Sequence, residues 1–413
     1  MAIISAIANG LRALPYAHFF HLDNGKKLAI ITFFANFYFY NHIGTLYQQA
    51  RGLNLLQVNS IWSIIVGTIF LAEVPTGVLA DKIGRKGSVT IALLLQALGE
   101  FLYFFASDYW AFVAIAILAG VGYAFSSGAS EALVYDSLPE TNREAEMKKS
   151  MGRVGSAYQL AFFAAPILGG LIVSELVMSK FLAAIFLTAC SVTVAFLISL
   201  TLKEPGGHYQ RAQESPWTIL KDGLSQVKNS PKLQWLIAIS VLTSTFSNSL
   251  VSLYQPYFAQ FSTPTFWIGA ALSLGGLLAF GVQHNAYWIE KKLGRAGFFI
   301  LTLWPGIMYV LFALVSLPVL LVPIFGMAYA SMEARSPLLS AYKNEQIKSQ
   351  NRATVLSLIN MFNSLYVALM SLVFGRIADS SVSHAFLWIG ILIIVFALVL
   401  RTDRVATSPH PLN

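Results

Sequence analysis

The stretch EVPTGVLADKIGRKGS, Glu73 to Ser88, puts an acid, a proline, glycines and four further charges between long apolar runs. The chain around it is mostly hydrocarbon. Of its 413 residues 56% are hydrophobic and 11% charged, against roughly 25% charged in an average soluble domain, and the mean hydropathy is +0.65. Apolar runs of about 18 residues or more recur along its length, each long enough to cross a hydrocarbon core about 30 Å thick as a helix. Lipid offers no partner for unpaired backbone groups, so helices are the expected element.

Twelve spans are read, at residues 27–47, 57–80, 86–107, 109–135, 147–173, 179–201, 231–259, 264–289, 296–316, 318–340, 352–377 and 382–400. An even number places both termini on one side. The polar connection at 202–230, with KEPGGHYQRAQESP at its start, separates two six-helix halves, 27–201 and 231–401, leaving a tail at 402–413. Residues 1–26 are expected to lie on the membrane surface as an amphipathic helix, because Asn9, Gly10 and Pro15 interrupt what a cleaved leader would keep apolar. With the termini in the cytoplasm, all of the 27 lysines and arginines except Arg51, Lys180, Arg335 and Arg376 fall on the cytoplasmic side, as the positive-inside bias requires. The net charge of +8 then reflects anionic lipid headgroups rather than nucleic acid. The single cysteine, Cys190, excludes a disulfide framework and a thiolate metal cage.

The halves echo one another. NHIGTLYQ at Asn41 to Gln48 and NSLVSLYQ at Asn248 to Gln255 share Asn, four residues, then Leu-Tyr-Gln. Gly84 echoes Gly294, Glu131 echoes Glu333 and Gly170 echoes Gly375, in the same order and at similar spacing. A duplication is implied.

Two six-helix halves joined by a long loop, with Gly77, Asp81, Gly84, Arg85 and Lys86 standing as GVLADKIGRK between spans two and three, resemble the major facilitator superfamily, whose signature for that loop this stretch closely matches. The resemblance covers essentially the whole chain. It implies an all-α fold of twelve transmembrane helices in two pseudo-symmetric six-helix bundles. It also implies a monomer of a bacterial inner membrane, moving a small-molecule substrate by alternating access without a cofactor. In physical terms, Gly77 permits close helix approach, and Asp81 can face a helix N-terminus of the other half and pair with Arg85, worth about 0.3 to 2 kcal/mol. The expectation is a cytoplasmic latch favouring the outward-facing state; the bland alternative is a solvated turn. Asp136, in SEALVYDS, is an acid that the resemblance adds to this charge network. AFFAAPILGG keeps Pro166, Gly169 and Gly170 of the family's antiporter pattern in span five, with alanines at two of its glycines, while the span-four arginine is absent from ILAGVGYAFSSG.

An ionisable group inside a span costs at least about 2.5 to 3.5 kcal/mol on insertion scales, so each should face a cavity or a partner. Glu333 and Glu131, read at matching places in spans ten and four, are the proton-coupling candidates, the alternative being structural pairing. Arg335 either binds a substrate carboxylate or neutralises an acid on a neighbouring helix. Glu73 is read as a gate-side partner and Glu100 as a structural group. Asn36, Tyr40, Asn41, Tyr47 and Gln48 in span one, with Asn248, Tyr254 and Gln255 in span seven, give polar tips on aromatic bodies, suited to an amphiphilic organic molecule. His284 and Asn285 on span eight are candidates to join them, although a lone histidine is more often structural.

The function expected is proton-coupled efflux of drugs or metabolites. The alternative is proton-coupled uptake of a small organic anion, an amino-acid-like compound or a siderophore, which Arg335 would favour. No Walker loop, HExxH, nucleophile elbow, glycosidase-like acid pair or metal cluster is present in the sequence, so ATP-driven transport and enzymatic chemistry are not expected.

Overall fold

The computed structural model describes residues 22–205, 225, 227–293, 295–347, 352–400 and 402. The greater parts of the segment 1–26, the linker 202–230 and the tail lie outside these residues, as do Gly294 and the side chain of Asp81. The first half runs α1 Asn24–Ala35, α2 Gly44–Ala50, α3 Leu55–Phe105, α4 Tyr109–Ser126, α5 Ala129–Asp136, α6 Arg143–Ile172 and α7 Met178–Ser199. The second runs α8 Pro231–Leu242, α9 Ser247–Gln260, α10 Thr265–Leu293, α11 Arg295–Leu314, α12 Pro318–Glu333, α13 Ser336–Gln346, α14 Arg352–Ser380 and α15 Val382–Val399. Among the described residues, ten stretches are long and apolar enough to span a membrane. The remaining two crossings, α1 with α2 and α12 with α13, are interrupted and complete twelve, six in each bundle.

The interruptions follow the duplication. Span one unwinds over residues 36–43, span seven between α8 and α9 with Phe246 at φ 50°, span four at Gly128 with φ 72°, and span ten at Ala334 and Arg335. The spacing that separates Asn41 from Asn248 also separates Gly128 from Arg335. Broken backbone inside lipid needs partners or a wet cavity. Arg335 supplies one such partner, donating from the break in span ten to the carbonyl and hydroxyl of Thr243 at the break in span seven. In this register Glu131 and Glu333 are not equivalents. Glu333 ends the helix before its break and Glu131 lies in the first turn after its own, so the shared Glu-Ala pair is a coincidence of sequence.

The opening stretch forms the turn between the two spans of α3. Gly84 takes φ 83°, ψ 172°, a conformation open essentially only to glycine. The Glu204 carboxylate caps the helix that starts there, accepting from the amides of Arg85 and Lys86 at 2.8 Å each. Arg85 Nε lies 3.8 Å from Asp136 Oδ2. Asn24 bonds Ser137 Oγ and the Lys203 carbonyl, and Lys27 Nζ bonds the Thr201 carbonyl at 2.6 Å. These contacts bind spans one, three, four and six of the first bundle together on the Gly84 side.

The bundles meet on the opposite side, the one carrying Asp379. Gln255 accepts from Thr45 N at 2.8 Å and donates to the Asn41 carbonyl. Asp379 accepts from Leu55 N at 2.6 Å, and Ser63 donates to the Ala368 carbonyl. Between α6 and α10, Thr265 bonds the Val173 carbonyl and Ser273 the Phe163 carbonyl. Glycines admit this approach: a Cβ on Gly269 would stand 2.2 Å from the Pro166 carbonyl oxygen, and one on Gly170 2.9 Å from Phe266 Cα. Toward the Gly84 side the contact ends; a Cβ on Gly77, Gly155 or Gly281 would have no atom of another residue within 4 Å. The bundles therefore enclose a crevice that is closed at the Asp379 side and open toward the Gly84 side. Aromatic side chains, among them Tyr47, Phe112, Phe181, Tyr254, Tyr257, Phe312 and Phe386, fill the core of the closed side. Phe70, Leu71, Phe101, Phe186, Leu277 and Phe280 are among the large apolar side chains left on the outer surface, where lipid covers them.

Candidate functional site

The crevice holds a cavity of about 630 Å³. Its first wall is the unwound part of span one, which contributes Asn36, Tyr38, Tyr40 and Asn41. An intact helix would turn part of this set away; unwinding lets closely spaced residues share one wall. The second wall is the face of α3 bearing Gln96, Glu100 and Tyr103, side chains three and four residues apart and so aligned along the helix. Tyr123 of α4, Tyr158 and Phe162 of α6, Ser247 and Asn248 of α9, and Tyr329 and Glu333 of α12 also line it.

Glu100 is the focus of the first wall. It is 9% exposed and accepts a hydrogen bond from Tyr40 Oη at 2.8 Å. Around it the Tyr40 and Tyr103 rings stack at 5.2 Å and 15°, and Tyr38 meets Tyr40 edge-on at 5.6 Å. Gln96 fixes this wall by donating to Tyr38 Oη at 2.9 Å and to the Ala35 carbonyl at 3.0 Å. On the far wall Glu333, half-buried, accepts from Gln283 Nε2 at 3.1 Å. Between the walls Phe162 stacks with Tyr158 on one side and Tyr329 on the other, centroids 6.0 Å apart in each pair. Among the described residues, those lining the cavity include two acids, Glu100 and Glu333, and no lysine, arginine or histidine. Such a surface favours cations, both by charge and through the ring faces, each contact with a desolvated cation adding about 2 kcal/mol.

Of the residues singled out in the sequence, Asn36, Tyr40, Asn41, Asn248 and Glu333 line the cavity. The others stand elsewhere. Tyr47 and Tyr254 are fully buried in the aromatic core, with hydroxyls bonded to the Tyr103 and Ile268 carbonyls. Gln48 is buried, and Gln255 ties the bundles together. His284 is exposed, stacked with Phe280. Glu131, in the first turn of α5, is exposed and is not among the described residues lining the cavity. Arg335, 5% exposed, is occupied with Thr243. Asp136 pairs with Arg85 on the Gly84 side, and Gly77 there is uncovered.

Glu100, read as a structural group from the sequence, also lines the cavity. The signal was present: Gln96 and Glu100, four residues apart, are the amide and the acid of the otherwise apolar and aromatic run LLLQALGEFLYFF and share one helix face.

The profile described as Major Facilitator Superfamily matches residues 28–371. Two curated relatives come from Bacillus subtilis (strain 168). "Multidrug resistance protein 2" is 27% identical over 330 residues, 76% of this chain and 78% of that protein. "Uncharacterized MFS-type transporter YxaM" is 22% identical over 357 residues, 82% of this chain and 85% of that protein. Among solved structures, the nucleoside transporter NupG superposes with a TM-score of 0.74 at 15% identity, over 92% of this chain and 99% of that one.

Proposed function

This chain belongs to the Major Facilitator Superfamily and is a multi-pass membrane transporter rather than an enzyme, and we propose that it exports amphipathic organic cations in exchange for protons. The observation that carries this reading is the charge of the cavity: aromatic walls, two acids and no base among the described lining residues. The name of one relative, Multidrug resistance protein 2, agrees with a cavity of that kind. The side bearing Gly84 is taken as cytoplasmic from the distribution of lysine and arginine, so the crevice here faces inward.

The exchange follows from the cost of bare charge. A carboxylate in a low-dielectric cavity is stabilised by a proton or by an organic cation, and the two compete for it. An inward-open cavity at low proton concentration takes the cation at Glu100, with its apolar body against Phe162 and Tyr329. After the bundles rock about the midplane site, protons from the acidic outside displace it and carry the acids back neutral. Competition at one site makes the coupling reciprocal. Uptake of organic anions drew its support from Arg335, and the commitment of that guanidinium to Thr243 removes it.

The test is flux in proteoliposomes under an imposed pH gradient, with tetraphenylphosphonium and an aromatic carboxylate as probes. Gradient-driven movement of the cation, lost in Glu100→Gln and in Glu333→Gln, is the expected result. Preferential movement of the carboxylate, or full cation flux in both variants, would overturn the proposal.

A further inference from the structure

Asp379 stands at the outer end of span eleven as Asp81 stands at the inner end of span two. Span two ends in GVLAD, Gly77 to Asp81, and span eleven ends in GRIAD, Gly375 to Asp379. The duplication does not account for the match, because it pairs span two with span eight and span eleven with span five. The two helices cross the membrane in opposite directions, so each carries its Gly-x-x-Ala-Asp at the end where the other begins.

The outer contact is made here. Asp379 Oδ1 accepts from the amides of Leu55 at 2.6 Å and Leu56 at 3.3 Å. These are the first two amides of α3, which have no intrahelical acceptor. The other orphan amides are served locally, by a capping box in which Asn54 and Gln57 bond each other's backbone N–H. An anion at a helix N-terminus also gains from the helix dipole. Gly375 makes the approach possible, since a Cβ there would stand 3.0 Å from both the Leu55 carbonyl oxygen and Leu56 Cα. Asp379 is anchored on its own helix by Arg376 at 4.0 Å, and its side chain is 15% exposed. The matching glycine at the inner end, Gly77, has nothing within 4 Å of a Cβ. Gly375 is thus covered by the partner helix and Gly77 uncovered in the same conformation.

We propose that Asp379 and Gly375 form the outer latch of this transporter, docking on the start of span two when the crevice faces inward, and that its release accompanies docking of Asp81 and Gly77 on the start of span eleven. This rests on the alternating-access reading above. Rocking the bundles about the midplane separates Leu55 from Asp379 and brings the opposite ends together, so the two docks are mutually exclusive. The freed amides of Leu55 and Leu56 then turn to water, which a helix end outside the hydrocarbon permits.

The test is distance measurement between paired spin labels in the full chain with its exposed Cys190 replaced by serine. One pair, Ala50→Cys with His384→Cys, reports the outer side; the other, Glu144→Cys with Ala341→Cys, reports the inner. Asp379→Ala is expected to raise the population with a long outer and short inner distance at least tenfold, Asp379→Glu to restore the original distribution, and Asp81→Ala to move both distances the opposite way. Gly375→Val, which keeps the acid but blocks the approach, should act like Asp379→Ala. Unchanged distances in Asp379→Ala and Gly375→Val, or a shift of the same sign as Asp81→Ala, would overturn the latch. The labels read conformation without substrate, so that outcome alongside intact proton-driven flux would sink the latch and leave the transport proposal standing.

Discussion

Tyr40 donates its hydroxyl to Glu100 across 2.8 Å, joining the unwound part of span one to the middle of span three. The bond places the cavity's most buried acid inside a group of tyrosine rings rather than against a neighbouring base.

From that geometry, Glu100→Gln should weaken tetraphenylphosphonium binding to the purified protein at least tenfold, about 1.4 kcal/mol. Tyr40→Phe keeps the charge and loses one donor, so its effect should be the smaller of the two. Titration calorimetry decides the matter; equal affinity in Glu100→Gln and the parent would remove Glu100 as the cation's partner.

Gly84→Ala should destabilise the protein by about 1 to 3 kcal/mol through the backbone conformation alone. A Cβ would also stand 2.5 Å from Glu204 Oε1, pushing away the carboxylate that caps Arg85 and Lys86. Glu204→Ala removes the cap without straining the backbone and should cost less. Thermal unfolding in detergent compares them, and an unshifted midpoint in Gly84→Ala would contradict the assigned turn.

Gly269→Val should prevent closure of the outer seam, because its side chain would enter the space of the Pro166 carbonyl. Gly170→Val should act similarly against Phe266. The expected readout is increased labelling of a cysteine placed at Ser252, which bonds Asn59 across the seam, by an impermeant reagent added from the outer side. Parent-level labelling would mean that the seam tolerates the added bulk.

Arg335→Met should lower stability by about 1 to 3 kcal/mol, the cost of leaving a buried polar group of Thr243 without its partner. It should not change which sign of substrate is carried. A switch in charge preference, measured by competition between cationic and anionic probes, would return Arg335 to the binding site.

Much of the site was legible as residue type and little of it as direction. Asn36, Tyr40, Asn41, Asn248 and Glu333 were readable because polar groups inside a span are costly and so need a cavity or a partner. Tyr47 and Tyr254 carry the same signal, yet their hydroxyls satisfy themselves on backbone carbonyls inside the aromatic core. A single helix register does not distinguish these outcomes. Glu131 and Glu333 looked equivalent by spacing, and only the position of the helix breaks shows that they are not.

Hydrophobic run length, polar punctuation and the echo between halves determined the class of protein, the number of crossings and the duplication, because lipid forces every backbone group into a helix whatever its neighbours are. Which acid faces the cavity, which tyrosines are core, and which end of the crevice is closed were decided by tertiary structure. Those properties depend on the rotation of each helix about its axis and on the four breaks that redirect it, and rotation is fixed by contacts between segments far apart in the chain.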